Sequence, residues 1–138
     1  MKPITILLTV LLTLPLFCPV QVEAAERSVL VEEAATGCVL SEENADLPRP
    51  VGSLAKLMTA YLTAQAIDRG ELTADTVLTA GESVRGMRGA VIWLEPGDTA
   101  TADELLYAML VGNANDAAEV LAKAVSGDAE RFVMDMNA

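Results

Sequence analysis

The residues best suited to chemistry in this sequence are a serine and a lysine three positions apart, Ser53 and Lys56, in the segment P-V-G-S-L-A-K-L-M-T-A-Y. Three residues advance an α-helix by about 300°, so the two side chains would lie on neighbouring turns of one face. A neutral Lys56 amine could then accept the proton of the Ser53 hydroxyl. The spacing therefore predicts a serine nucleophile with a lysine as its general base.

Lys56 is the single charged residue between Ser53 and Ile67, in a run that is apolar on nearly every helical face. A helix of this composition is expected to be buried, and burial disfavours the ammonium form of a lysine. The N-terminus of the helix would also favour negative charge developing on Ser53. The alternative is that Ser53 only caps or starts the helix while Lys56 extends its amine into water, since S-x-x-K is a common pattern.

The composition excludes several other chemistries. The chain contains no histidine, so it cannot form a Ser-His-Asp triad or a histidine metal site, and serine catalysis would have to use a lysine. We expect no cofactor and no metal. The net charge of −11 argues against a nucleic acid partner. Of the two cysteines, Cys18 lies in the N-terminal apolar run and Cys38 beyond it, so no internal disulfide is expected.

Residues 1–24 have the pattern of a signal peptide, with a basic start, a long apolar run and small residues before a cleavage site after position 24. A retained membrane anchor is the competing interpretation, but Pro15 and Pro19 interrupt the run, which is also short for a stable span. The sequence thus predicts an exported protein, and the mode of any membrane anchoring stays open.

Beyond the signal peptide, the patterns predict a β-hairpin, a central helix, an irregular glycine-rich segment and three further helices. The predicted elements are strands at 27–33 and 38–41, a helix at 53–69 ended by Gly70, a short strand at 76–79, a brief buried stretch at 91–94, a helix from a Thr101–Glu104 capping box to Gly112, a helix at 117–125 capped by Asn115 or Asp116, and a last helix capped by Asp128.

The last predicted helix is still running at Ala138, and a lone two-stranded hairpin is marginal in water. From these two features we expect residues 25–138 to be the N-terminal part of a larger domain whose C-terminal strands are missing from this chain.

Five blocks in this order closely resemble the exported D-alanyl-D-alanine carboxypeptidases, which are low-molecular-mass penicillin-binding proteins. The blocks are T-G-C-V-L-S-E-E-N-A-D, P-V-G-S-L-A-K-L-M-T-A-Y, W-L-E-P-G-D, L-L-Y-A-M-L-V-G-N-A-N-D-A-A and R-F-V-M-D-M-N-A, which together span most of residues 27–138. The resemblance implies an α+β fold of the serine β-lactamase and transpeptidase type, an antiparallel sheet flanked by helices.

The resemblance also implies a reaction and its partners. In the family a serine attacks the carbonyl between the two terminal D-alanines of a peptidoglycan stem peptide, forms an acyl-enzyme, and water releases it. By position Ser53 would be the nucleophile and Lys56 the base, and β-lactam antibiotics would acylate the same serine. The expected location is the bacterial periplasm or the extracellular wall space.

The family's second motif is Ser-x-Asn, and the matching residues here are Asn113-Ala114-Asn115. Asn115 keeps the amide that would hold the substrate backbone. Asn113 replaces the catalytic hydroxyl, and a carboxamide cannot relay a proton as a hydroxyl does. Without the resemblance, both asparagines would be interpreted as turn and capping residues.

The family's third motif, Lys-Thr-Gly, does not occur in the sequence. In the family that strand binds the terminal carboxylate and gives one oxyanion-hole N–H, the other coming from the serine itself. We therefore expect this chain alone not to react with penicillin. The alternatives are a D,D-endopeptidase and a non-catalytic exported module that binds wall peptides or penicillin. A β-lactamase fits the flanking blocks poorly, and Trp93 is expected to be a packing residue.

Overall fold

The structure is a computed structural model that describes residues 27–138 in two units, one ending at Arg49 and one running from Pro50 to Ala138. The predicted signal peptide lies outside the described residues. Within residues 27–138, no helix combines the length and the apolar composition needed to cross a bilayer.

The first unit contains the predicted hairpin. Strand β1, Val29–Glu32, pairs antiparallel with strand β2, Val39–Glu43, and Gly37 makes the turn at a φ of +68°. The prediction of a hairpin is confirmed, although β2 continues two residues beyond position 41 because Val29 and Leu30 pair with Glu43 and Glu42.

The second unit begins with a 3-10 turn, Gly52–Leu54, which leads directly into helix α1, Ala55–Asp68. The helix ends as predicted, with Gly70 at a φ of +74° donating its N–H to the Ile67 carbonyl. The prediction of one α-helix from residue 53 is wrong at its start, because Ser53 lies in the tighter turn.

Helix α1 is also less buried than its composition predicts. The buried side chains, Thr59, Thr63 and Ala66, follow a single stripe of the helix. Leu57 and Tyr61 on another face remain 60% and 57% exposed. The prediction of a helix buried all round is therefore wrong, because the described residues pack against only part of its surface.

Two short strands enclose the glycine-rich segment. Strand β3, Val77–Thr79, pairs antiparallel with strand β4, Thr99–Thr101, and the segment between them includes a 3-10 turn, Glu82–Val84. Strand β3 was predicted and β4 was not. Three residues give too little alternation to indicate a strand, and Thr101 was recognised only as the cap of the next helix.

Three helices follow: α2, Ala102–Gly112, α3, Asn115–Ser126, and α4, Ala129–Met136. The Thr101–Glu104 capping box and the Asp128 cap are present as predicted. The predicted start of the third helix is wrong, because α3 begins at Asn115 and its N-cap, Ala114, makes no side-chain cap. The side chains of Asn115 and Asp116 are instead bonded to the glycine-rich segment.

Helix α3 lies at the centre of the second unit, in contact with α1, α2, α4 and β3. This arrangement puts the start of α3 against the start of α1, where the candidate residues lie. The core around it consists of Ala80, Val84, Ala102, Leu105, Met109, Ala114, Ala117, Val120 and Leu121.

Candidate active site

Ser53 lies in the 3-10 turn immediately before helix α1. Gly52 precedes it at a φ of +55°, a backbone conformation that favours glycine. The Ser53 side chain is exposed, and its hydroxyl makes no hydrogen bond to any residue between 27 and 138. The hydroxyl is therefore accessible to a substrate.

Lys56 lies in the first turn of α1 and is half-buried rather than fully buried. Its Nζ atom donates a hydrogen bond of 2.7 Å to Oδ1 of Asn115. Among the described residues it makes no hydrogen bond to Ser53. The sequence prediction of a lysine sheltered by burial is thus wrong in degree, because a side-chain amide rather than apolar packing fixes the amine.

One cavity of about 430 Å³ brings together three of the four predicted site residues, Ser53, Lys56 and Asn113. The cavity therefore exposes the hydroxyl, the amine and a carboxamide to the same ligand. The rest of its lining is mainly apolar and consists of Val51, Leu54, Leu57, Met109 and Leu110.

Asn115, the fourth predicted residue, connects Lys56 to the glycine-rich segment. Its Nδ2 donates to the Arg88 carbonyl at 2.8 Å, and its backbone N–H donates to the Ala90 carbonyl at 2.8 Å. A carboxamide has two N–H donors and two oxygen lone pairs, so one of each remains free for a substrate. Asn115 both holds the lysine and keeps spare hydrogen-bonding capacity.

Asn113 ends helix α2 in the left-handed conformation, with a φ of 57° and a ψ of 28°. Its backbone N–H bonds to the Ala108 carbonyl, while its exposed side chain makes no hydrogen bond within the described part of the chain. Asparagine tolerates this conformation better than most residues. The alternative interpretation of Asn113 as a turn residue is therefore correct for its backbone, and its side chain still lines the cavity.

Asp116 is a structural residue beside the site, whose pattern in the sequence predicts only a helix cap. It is 1% exposed, and its carboxylate accepts hydrogen bonds from the backbone N–H groups of Ile92 at 3.1 Å and Leu94 at 3.0 Å. Between them Trp93 has a φ of +63° and is 80% exposed. The predicted buried stretch at 91–94 and the packing role of Trp93 are both wrong.

The sequence does contain a signal for this role. Asp116 stands in N-A-N-D-A-A at the start of a mostly apolar helix, which indicates that its carboxylate is buried. A buried acid needs donors, and a neighbouring irregular segment is where unpaired backbone N–H groups occur.

A second serine and lysine, Ser83 and Lys123, are joined by a direct hydrogen bond. Lys123 Nζ donates to the Ser83 hydroxyl at 2.7 Å. Lys123 Nζ also lies 3.6 Å from a carboxylate oxygen of Glu119, so this amine is shared between two partners. Contact alone therefore does not identify the nucleophile.

The comparison with protein families shows which family the chain belongs to. Residues 17–138 match the peptidase S11 family model, described as D-alanyl-D-alanine carboxypeptidase. The chain belongs to this family. The family is identified from the match over most of the chain, and the resemblance of the five blocks is confirmed.

Relatives in the family have both carboxypeptidase and endopeptidase names. The chain is 34% identical over 113 residues to the D-alanyl-D-alanine carboxypeptidase DacF of Bacillus subtilis, covering 82% of this chain and 29% of that protein. It is 36% identical over 121 residues to a D-alanyl-D-alanine endopeptidase of Pseudomonas aeruginosa, covering 87% and 38% respectively.

A solved structure from the family agrees with the fold. Penicillin-binding protein D2 of Listeria monocytogenes, in its ampicillin-bound form, superposes with a TM-score of 0.62 at 35% identity, covering 80% of this chain and 43% of that one. The predicted α+β, transpeptidase-like fold is confirmed. The chain spans less than half the length of each of these three relatives.

Proposed function

We propose that residues 25–138 supply the nucleophile and base of a serine-type D-Ala-D-Ala carboxypeptidase, which removes the terminal D-alanine from peptidoglycan stem peptides. The observation that carries the proposal is the cavity shared by Ser53, Lys56 and Asn113, with Lys56 fixed by Asn115, in a chain of this family.

In the proposed reaction the Ser53 hydroxyl oxygen attacks the carbonyl carbon between the two D-alanines, and its proton passes to Lys56. The hydrogen bond to Asn115 suits this step. A neutral amine that donates one N–H to Oδ1 of Asn115 keeps its lone pair available for the hydroxyl proton. Collapse of the tetrahedral intermediate releases the protonated D-alanine and leaves an acyl-Ser53 ester, which water hydrolyses.

With Asn113 in place of a serine, proton transfer to the leaving amine should be slower. It lines the cavity and can hydrogen-bond to the substrate, but it offers no hydroxyl to carry a proton to the leaving amine. The proposal therefore assigns Asn113 a binding role and leaves proton delivery to Lys56.

The proposed ligands are stem peptides ending in D-Ala-D-Ala and β-lactam antibiotics, which would acylate Ser53. The proposed setting is the periplasm or the cell-wall space, reached through the signal peptide at residues 1–24. Because no Lys-Thr-Gly motif occurs in the 138 residues, we expect the chain alone to lack the second oxyanion donor and to remain unacylated.

An endopeptidase that cuts cross-links is the second candidate, favoured by the similarity to the Pseudomonas aeruginosa relative. A non-catalytic module that binds wall peptides is a third candidate. It is favoured by the presence of Asn113 where the family motif has a serine. Release of D-alanine from a linear pentapeptide supports the carboxypeptidase. Cleavage of cross-linked dimers alone supports the endopeptidase, and reversible peptide binding without acylation supports the module.

The test is a chimera in which residues 27–138 replace the aligned segment of the Bacillus subtilis relative, incubated with a fluorescent penicillin. We expect covalent labelling that is lost in Ser53→Ala and strongly reduced in Lys56→Ala. A chimera that unfolds cooperatively on heating, as its parent does, and yet takes no label would contradict the proposal.

A further inference from the structure

Asn115 joins the segment from Gly86 to Ala90 to the candidate base, Lys56, by hydrogen bonds. The amide of Asn115 lies between two partners: Oδ1 accepts from Lys56 Nζ at 2.7 Å, and Nδ2 donates to the Arg88 carbonyl at 2.8 Å. Its backbone N–H is bonded to the Ala90 carbonyl at 2.8 Å. The carbonyl groups on either side of residue 89 therefore both accept hydrogen bonds from Asn115.

The residue at that position has no room for a side chain. A Cβ atom built on Gly89 would lie 2.9 Å from Nδ2 of Asn115, closer than real Cβ contacts, and Gly89 has a φ of +90°. A side chain here would therefore push the very amide that bonds to Lys56. Gly86, three residues earlier, has a similar φ of +71° but nothing within 4 Å of a built Cβ.

We propose that Gly89 is a positioning residue for the Lys56 amine, acting through Asn115. Because it has no Cβ, the backbone of the segment can approach until the Arg88 carbonyl orients the Asn115 amide, and the amide oxygen then fixes Lys56 beside the cavity that contains Ser53. The catalytic meaning of this arrangement rests on the proposed function, whereas the coupling of Gly89 to Lys56 does not.

The experiment measures the reactivity of Lys56 directly, in the 138-residue chain. The folded protein is treated with a trace of acetic anhydride, and the acetylation of Lys56 relative to Lys123 is read by mass spectrometry. Lys123 is bonded to Ser83 and Glu119 rather than to Asn115, so it reports changes that do not pass through the Asn115 amide. The ratio of the two lysines isolates the local effect.

Gly89→Ala is compared with Gly86→Ala, which imposes a similar backbone strain without the clash. We expect Gly89→Ala to raise the Lys56 to Lys123 ratio by up to roughly tenfold, the change given by loss of one hydrogen bond. Gly86→Ala should leave the ratio unchanged. A folded Gly89→Ala protein with the unchanged ratio would overturn the proposal, as would an equal rise in both variants.

The double variant Gly89→Ala/Asn115→Ala keeps the test decisive if Gly89→Ala does not fold. Removing the Asn115 amide removes the atom that the new Cβ would meet, so adding Gly89→Ala to Asn115→Ala should cost no more stability than Gly86→Ala costs the unaltered protein. A clearly larger loss overturns the proposal. Acetylation needs no peptidase chemistry, so failure of Ser53 to react with penicillin, with the expected lysine ratios, would reject only the proposed function.

Discussion

The Nζ atom of Lys56 lies 2.7 Å from Oδ1 of Asn115, and this hydrogen bond joins the first turn of helix α1 to the first residue of helix α3. The amine that would activate Ser53 is thus fixed by a residue 59 positions later in the chain. We therefore expect the stability of the fold and the placement of the proposed base to depend on the same carboxamide.

Asn115→Ala should lower the free energy of unfolding by about 2 kcal/mol, because it removes the bonds to Lys56 and to the Arg88 carbonyl. Denaturant titration followed by circular dichroism measures this. The matched control is Asn137→Ala, which removes one exposed bond near the end of α4 and should cost no more than about 0.5 kcal/mol. Equal losses in the two variants would show that the hydrogen bonds of Asn115 to Lys56 and to the Arg88 carbonyl do not stabilise the fold.

Asn113 should respond to substitution according to its left-handed backbone. Asn113→Ser, which restores the hydroxyl of the family motif, should lower the free energy of unfolding by about 1 kcal/mol, since most L-residues are strained there. Asn113→Gly should be close to neutral. Thermal unfolding of both variants tests this, and a serine variant as stable as the glycine variant would contradict it.

Restoring the hydroxyl should also change the chemistry. In the chimera with the Bacillus subtilis relative, Asn113→Ser should release D-alanine from a pentapeptide faster than the unaltered segment does, because a hydroxyl can pass a proton to the leaving amine.

Asp116 should be among the most sensitive positions of the second unit. Asp116→Ala leaves the N–H groups of Ile92 and Leu94 without their acceptor, and we expect a loss of about 3 kcal/mol or more. Asp75→Ala, at an exposed position, is the control. Trp93 is the single tryptophan and is 80% exposed, so acrylamide should readily quench its fluorescence in the unaltered protein. A free energy of unfolding that Asp116→Ala lowers no more than Asp75→Ala does would refute the role of Asp116.

The start of helix α2 should give a pH-dependent contribution to stability. The backbone N–H of Thr101, and then its hydroxyl, donate to the Glu104 carboxylate and hold its pKa below the ordinary value of 4.5. A carboxyl whose pKa is lowered on folding stabilises the fold above its unfolded pKa. That stability is lost as the pH falls from 4.5 through the lowered value.

Glu104→Gln should therefore reduce the drop in melting temperature between pH 6 and pH 3. Glu95→Gln, at another exposed carboxyl, is the comparison. If Glu104→Gln melts with the same pH dependence as the unaltered protein, the capping box does not contribute in this way.

Local patterns were sufficient for the features that depend on neighbouring residues. The hairpin, the end of α1 at Gly70, the capping box and the Asp128 cap were all predicted, because each is set by residue types within a few positions. The grouping of Ser53 and Lys56 with Asn113 around one cavity agrees with the resemblance to the family.

Contacts between distant segments were not predictable in the same way. Asn115 and Asp116 look like helix caps in sequence, but their side chains bond to backbone groups more than 20 residues away, so α3 starts earlier than its pattern indicates. The exposure of Trp93 follows from the same long-range contact. Strand β4 was missed because pairing with β3, rather than its own residues, makes it a strand.

The most direct test of the account is the position of the covalent adduct. The chimera that contains residues 27–138 is incubated with penicillin, digested and analysed by mass spectrometry. We expect the adduct on Ser53, lost in Ser53→Ala and unaffected in Ser83→Ala. An adduct on Ser83, the serine that does bond directly to a lysine, or one that persists in Ser53→Ala, would contradict it.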